Sequence, residues 1–372
     1  MTLIESERFA RAQLQQVGNI CAPLILRGFA VDGAVIRKGH GWKTTHQAAR
    51  NGEQARAHHA MNRYQPMKAV LTDRPFSDPE WVFERKLDGE RCGALRERGR
   101  VSLVSRSGQV LDSTYPELVD ALESKGPDLL VDGEVVAFKG RQTSFERLQR
   151  RMQIRDRELA RNSGVAVYYY LFDILELDGR NLRPLPLRER KAALRSAVEF
   201  VGPLRFTPHR AGNGEAAFRQ ACERGWEGVI AKRTSSSYTP SRSRDWLKVK
   251  CSRGQELVIG GWTAPKGSRK HLGALLVGYW EGSELRYAGK VGTGFDERTL
   301  EQLGGELERR ERSSPPFAAH DLPRAAHWAE PELVAQVAFS EWTRDGKLRH
   351  PRYQGLRYDK PTRDVVREEP NR

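Results

Sequence analysis

Between residues 81 and 250 apolar and polar side chains alternate in short runs separated by helical patches, and short alternating runs are the signature of half-buried strands. The clearest helical stretches there are 143–159 and 187–201. Together they predict a mixed domain dominated by an antiparallel sheet, the larger of two. Beyond residue 250 the pattern turns strand-rich, with runs at 256–262, 274–280, 285–291 and 334–343 and a weaker one through 348–357. A single helix, 296–312, falls between the third and fourth of these. Five short strands so interrupted predict a small Greek-key barrel of the oligonucleotide-binding (OB) type. The expected class is therefore α+β, with an antiparallel-sheet domain over 65–252 and an OB-fold β-barrel over 253–372, the boundary lying near 251–254. Residues 1–64 have little sustained periodicity and include Gly39-His-Gly41. They read as a short helix in a poorly ordered arm, with no legible function. The Ser-rich stretch 235–243 reads as a loop.

Composition narrows the class of partner. A chain of 372 residues exceeds one typical domain, and two domains of this size need no metal or disulfide to hold a core. Lys and Arg number 63 against 48 Asp and Glu, a formal charge of +15. That favours a polyanion, nucleic acid first, although an Arg-rich composition that merely reflects a GC-rich genome would give the same balance. Cys21, Cys92, Cys222 and Cys251 stand far apart, with no Cys-x-x-Cys pair. Neither a zinc cluster nor a disulfide is expected, which suits a reducing cytoplasm. No signal pattern opens the chain, and no run approaches the ~18 apolar residues of a membrane span, so a soluble protein is expected.

Three strands carry paired charges. In Trp81-Val-Phe-Glu-Arg-Lys-Leu-Asp-Gly-Glu-Arg91 a strand runs into an Asp-Gly turn, leaving Glu84 and Lys86 on one face. In Leu130-Val-Asp-Gly-Glu-Val-Val136 the acids Asp132 and Glu134 sit two apart within an apolar run. In Trp246-Leu-Lys-Val-Lys250 two lysines share one face, with Leu247 and Val249 on the other. Each alone is an ordinary exposed sheet face. Together a carboxylate pair, a cation pair and a lysine beside a turn describe a site for a metal-bound polyphosphate. A lysine amine titrates near ~10.4 in small peptides, so a nucleophilic lysine needs neighbouring cations or desolvation. Lys248, Lys250 and a metal would supply them, and would also offset charge on an α-phosphate and a departing pyrophosphate.

These segments resemble a known family, the covalent nucleotidyltransferases that include ATP-dependent DNA ligases, in order from Gln65 to Lys360. Lys86-Leu-Asp-Gly-Glu-Arg91 resembles the adenylation motif, Ser105-Arg-Ser-Gly108 the second, Asp132-Gly-Glu134 the third and Glu227-Gly-Val-Ile-Ala-Lys232 the fourth. Lys248-Val-Lys250 and Arg357-Tyr-Asp-Lys360 resemble the last two. A single Lys-x-Asp-Gly is weak, whereas six motifs in order are specific. The resemblance implies that Lys86 attacks the α-phosphate of ATP, and that Glu84 and Phe172 hold adenine by hydrogen bond and stacking. It implies that Arg91 and Glu134 contact the ribose and phosphate side, and that Lys232, Lys248 and Lys250 hold phosphates. Glu227 with Asp132 would bind Mg2+ or Mn2+, Arg106 would meet the 5′-phosphate of a broken strand, and Arg357, Asp359 and Lys360 would orient the pyrophosphate. That last role requires the barrel to swing onto the nucleotide.

Gly260-Gly-Trp-Thr-Ala-Pro-Lys-Gly267, Gly273-Ala-Leu-Leu-Val-Gly278 and Tyr287-Ala-Gly-Lys-Val-Gly-Thr-Gly-Phe295 resemble the ligase domain of bacterial multifunctional end-joining ligases. That branch implies nicked or broken duplex DNA as substrate, a Ku-like end-binding partner, a monomeric ligase and a place on the bacterial nucleoid. The chain has no room for the polymerase and phosphoesterase domains often fused to such ligases, which leaves its end-joining role open. An RNA-capping guanylyltransferase, an RNA ligase or a non-catalytic DNA-binding module remain alternatives. An NAD-dependent ligase is disfavoured, because its four-Cys zinc module cannot be built here.

Overall fold

The computed structural model describes residues 59–368 apart from 61, 124–125, 253, 266–269 and 320, so the expected arm lies outside the described residues except for its last few. With strands numbered in chain order, β1 (Lys68–Leu71), β2 (Asp78–Arg85), β10 (His209–Gly212), β11 (Gly228–Arg233) and β12 (Arg242–Lys250) form one sheet, in the order β1-β12-β11-β2-β10. All its pairings are antiparallel except β1 with β12. The second sheet contains β3 (Glu90–Glu97), β4 (Arg100–Ser105), β5 (Leu129–Lys139), β6 (Gln142–Thr143), β7 (Val167–Leu177), β8 (Arg180–Asn181) and β9 (Leu204–Phe206). Its spine is β4-β3-β5-β7-β8. The third comprises β13 (Gly254–Trp262), β14 (Leu275–Glu281), β15 (Glu284–Val291), β16 (Glu311–Arg312), β17 (His327–Ala338) and β20 (Arg352–Leu356), beside the hairpin of β18 (Glu341–Trp342) and β19 (Leu348–Arg349). The architecture is the expected α+β arrangement, a nucleotidyltransferase-type pair of sheets followed by an OB-type barrel.

Period-two alternation explains which face becomes functional. Trp81 and Phe83 of β2, Val229 and Ala231 of β11 and Val249 of β12 point to one side, where Ala217 and Ala221 of a helix cover them. Their neighbours Glu84, Ile230, Lys232, Lys248 and Lys250 must then share the other side. The barrel has its own core, in which Leu257, Ile259, Leu275, Val277, Val291, Val334 and Leu356 are buried together. Its helix spans Glu297–Glu308, shorter than the 296–312 expected, with Asp296 capping its N-terminus.

Several expectations are corrected. The helix expected over 143–159 is two, Phe145–Met152 and Arg157–Arg161. The break falls where the Asp156 carboxylate accepts from the N–H groups of Glu158 and Leu159 and starts a new helix. The helix from 187 stops at Ala197, and Val198 is extended. Strand β17 begins at His327 and ends at Ala338, earlier at both ends than the run 334–343 suggests. Cys222 and Cys251, read as unpaired, form a disulfide across a sequence separation of 29. The argument for a reducing compartment drawn from cysteine usage falls with it. Among the described residues no helix is long and apolar enough to cross a membrane.

Candidate active site

Strands β2, β11 and β12 bring the charged pairs into two rows. Glu84 pairs across to Ile230, which pairs to Lys248, while Gly228 pairs to Lys250 and accepts the Lys86 N–H at 2.9 Å. No side chain fits at Gly228: a Cβ would meet the Val249 carbonyl oxygen at 2.0 Å, and φ is +149°. The second sheet closes the pocket from the opposite side with Arg91, Glu134 and Phe172, and Arg106 follows β4. The barrel contributes Glu256, Arg357 and Lys360. Every residue named from the sequence lines this one pocket except Asp132 and Asp359.

Lys86 Nζ donates to Glu227 Oε2 at 2.5 Å at the head of the pocket. Asp88, in the following turn, is pushed up to about 6 by burial and by Glu227 beside it. At the far end Glu84 is buried, with Lys191 Nζ 2.6 Å from one oxygen and Lys232 Nζ 2.8 Å from the other. Burial would raise its pKa, but the two lysines outweigh that and hold the carboxyl below its ordinary value. Burial brings Lys232 down to about 8 despite Glu84. Lys191 also donates to the Phe172 carbonyl at 3.3 Å, tying the acid to the strand that carries the aromatic ring. The Phe172 ring meets Trp246 edge-on, and Lys232 lies 4.0 Å from each ring centroid. Thr207 is buried in the same wall, and its hydroxyl has no hydrogen-bond partner among the described residues.

Asp132 is fully buried and does not line the pocket that Glu227 lines, which corrects its expected role as a metal ligand. Its carboxylate accepts from Arg91 twice, at 2.6 and 2.6 Å, and from the hydroxyls of Tyr64 and Tyr238 at 2.8 and 2.6 Å. With its acceptor positions filled it cannot also bind an ion. Asp132 and Glu134 keep the two-residue period of β5, which pairs with β3 without a break; the extra residue opposite them is Phe172 on β7. Glu134 does face the pocket, and burial raises it to about 7.

Asp359 is likewise a holder. It takes a bidentate pair from Arg357 at 2.9 and 2.9 Å and lies 3.6 Å from Arg106. Arg357 reaches across from the barrel to donate to the Gly89 carbonyl at 3.2 Å, in the turn after Lys86. Lys360 pairs with Glu256 at 2.9 Å. The barrel is thus already seated on the pocket. Lys248 and Lys250 are both engaged by Glu368, at 2.5 and 3.2 Å. Burial lowers Lys248 to about 8 even so. Sequence reasoning missed Lys68, Lys191, Thr207, Glu256 and Glu368, none of which stands in a motif.

Two family profiles match the chain. One, described as ATP dependent DNA ligase domain, covers residues 62–250, and the other, ATP dependent DNA ligase C terminal region, covers 268–360. The chain belongs to the ATP-dependent DNA ligase family. The first ligase profile spans both sheets of the pocket, and the second includes Arg357, Asp359 and Lys360. Among curated ligase relatives, the multifunctional non-homologous end joining protein LigD of Pseudomonas aeruginosa is 38% identical over 316 residues, 82% of this chain and 36% of that protein. LigD of Mycolicibacterium smegmatis is 35% identical over 353 residues, 92% of this chain and 44% of that protein. The chain therefore spans less than half the length of these relatives. A solved structure titled mycobacterial DNA ligase D complexed with ATP and MES is 35% identical, covers 82% of this chain and 98% of that one, and superposes with a TM-score of 0.58.

Proposed function

We propose that this chain seals breaks in duplex DNA that carry a 5′-phosphate and a 3′-hydroxyl, through an adenylate on Lys86. The Lys86 amine forms a bond to the α-phosphorus of ATP as the bond to pyrophosphate breaks. AMP then passes to the 5′-phosphate of the broken strand, and the 3′-hydroxyl displaces it to form the phosphodiester. The observation that carries this reading is Lys86 Nζ at the head of a pocket that also receives Lys248, Lys250 and the barrel's Arg357 and Lys360. A nucleophile ringed by cations suits attack on a phosphate whose leaving group is anionic.

In this reading Glu227, 2.5 Å from Lys86, is in reach of the proton the amine must lose. Glu84, kept ionised by Lys191 and Lys232, accepts from an amino group on the base edge, which favours adenine, and Phe172 supplies the aromatic wall. Arg91 and Glu134 serve the ribose side, Lys248 and Lys250 the α-phosphate, and Arg357 and Lys360, with Asp359 orienting the former, the pyrophosphate. Arg106 serves the 5′-phosphate. Among the described residues no three acidic, His or Cys side chains cluster around an ion site. A divalent ion arriving with the triphosphate fits all the same, since Mg2+ commonly takes one or two carboxylates and completes its shell with phosphate oxygens and water. Glu227 would be its ligand from this chain, and the ion would offset phosphate charge. The names of the LigD relatives support end joining as the pathway; a Ku-like end-binding partner and a single ligase chain at each break are the further parts of this proposal.

The test is incubation with α-labelled ATP and Mg2+, a denaturing gel, then addition of a nicked duplex. Label should attach to the wild-type chain, be absent from Lys86→Ala, and leave the protein as a sealed strand appears. Failure of adenylate-free wild-type protein to take label would overturn the reading.

A further inference from the structure

The segment after the barrel's last strand turns into the nucleotide pocket. It runs through one 3-10 turn, Thr362–Asp364, and along the barrel to Glu368. The barrel holds it by several contacts. Trp280 N–H donates to the Val365 carbonyl at 2.7 Å, and Val365 is fully buried. The Gln255 side chain donates to the Val366 carbonyl at 3.3 Å and accepts from the Glu368 N–H at 3.0 Å. Arg363 lies 3.6 Å from the centroid of Trp280.

From this anchorage two carboxylates reach cations that belong to the other domain. Glu368 bridges Lys248 at 2.5 Å and Lys250 at 3.2 Å. Asp364 meets Lys68 at 2.6 Å, at the end where β1 lies beside β12. Both acids and all three lysines line the same pocket. Glu368 and Asp364 lie outside both ligase profiles, and Lys68 lies outside all six motifs. A carboxylate offers a cation the same negative oxygens as a phosphate. Two of them, four residues apart, therefore trace a path for two phosphate groups.

We propose that the segment Asp364–Glu368 is an internal stand-in for phosphate, occupying the Lys248–Lys250 pair and Lys68, and that Lys68 is a phosphate-binding residue of this site. The proposal rests on the nucleotide reading above. A triphosphate cannot share the two lysines with Glu368 without like-charge repulsion, so the segment has to withdraw first. Apparent affinity for the incoming phosphate is then reduced by the fraction of molecules in which the segment has withdrawn. Lys250 and Lys248 hold the Glu368 carboxyl down to about 2 against the effect of burial, so the stand-in stays charged at any working pH. The phosphate on Lys68 can come from the nucleotide or from a DNA strand.

The experiment compares the full chain with Glu368→Gln, Asp364→Asn and Lys68→Met. Each is titrated calorimetrically with α,β-methylene ATP, which cannot transfer AMP, and with a nicked duplex bearing a 5′-phosphate. Glu368→Gln should bind the ATP analogue about fivefold tighter or more. Glu341→Gln, which removes the same charge from an exposed pair with Arg349, should leave that affinity unchanged. Lys68→Met should weaken the analogue if the nucleotide supplies the phosphate, or the nick if DNA does. Unchanged or weaker analogue binding by Glu368→Gln would overturn the stand-in, and an effect equalled by Glu341→Gln would reduce it to bulk charge. Unchanged binding of both ligands by Lys68→Met would remove Lys68 from the site. Wild-type protein that never takes label from ATP would sink the adenylation reading instead, which keeps the two failures apart.

Discussion

Arg91 and Asp132 form a bidentate pair in which both distances are 2.6 Å and the acid is completely buried. The pair fixes the guanidinium 4.6 Å from the centroid of Phe172, so on the proposed assignment of Arg91 to the ribose side Asp132 acts on the nucleotide through Arg91. Asp132→Asn leaves Arg91 without its charge partner, and breaking one side of a buried pair costs about 3–5 kcal/mol. The variant should melt lower and need more ATP for half-maximal labelling, with its Mg2+ dependence unchanged. A Mg2+ requirement that moved strongly to higher concentration would restore Asp132 as a metal ligand.

Of the two lysines paired with Glu84 among the described residues, Lys191 stands outside the motifs. Without it the acid keeps only Lys232, and its pull toward the ordinary carboxyl range or above weakens its preference for an amino group on the base. Lys191→Met should lower the preference for ATP over GTP in single-turnover labelling by about tenfold. A proportional loss with both nucleotides would mean that Lys191 only supports the fold.

Glu134 gives a pH dependence with a definite sign. Its folded pKa of about 7 lies above the ordinary carboxyl value, so stability from its protonated form is complete below pH ~4 and lost as pH rises through 7. Glu134→Gln removes that loss. In nucleotide-free protein its stability advantage over wild type should grow by about 2 kcal/mol from pH 5 to pH 8, read from denaturant melts at both. A constant difference would show that Glu134 is not held neutral. Labelling by ATP should fall in the same variant, the usual conflict between a buried functional charge and stability.

Arg357 serves the first step only, if its work is on the pyrophosphate. Arg357→Ala should slow adenylate formation by about 100-fold or more, the scale of losing one preorganised charge partner of a phosphate. Sealing of a nick that already carries AMP should be nearly unaffected. Equal loss in both assays would require the barrel to contact the strand in the final step as well.

Much of this site was legible because strands repeat every two residues. Glu84, Lys232, Lys248 and Lys250 face the pocket simply because Phe83, Ala231 and Val249 face the core. The same rule put Asp132 on the face of Glu134 but could not show that four donors from distant segments fill the acid. Nothing near Lys68, Lys191 or Thr207 distinguishes them from an edge-strand lysine, a helical lysine and a loop hydroxyl. Their partners lie far along the chain, 107 positions away for Lys191 and Glu84. Cys222 and Cys251 escaped for the same reason, since only the fold brings the end of a helix to the end of β12.

Asp359 sits between Arg357, which it grips, and Arg106, 3.6 Å away. On the proposed assignments these two arginines serve different substrates, one the pyrophosphate of ATP and the other the end of a DNA strand. A barrel seated for the first therefore has a hand on the second. With Asp359 beside it, Arg106 would be free for a break only once the barrel lifts, and on the same assignments the barrel has no further work over the pocket once pyrophosphate has gone. On those assignments one carboxylate would impose a queue: charging would come first and damage recognition second, so that a chain without AMP would not sit on a break it cannot close.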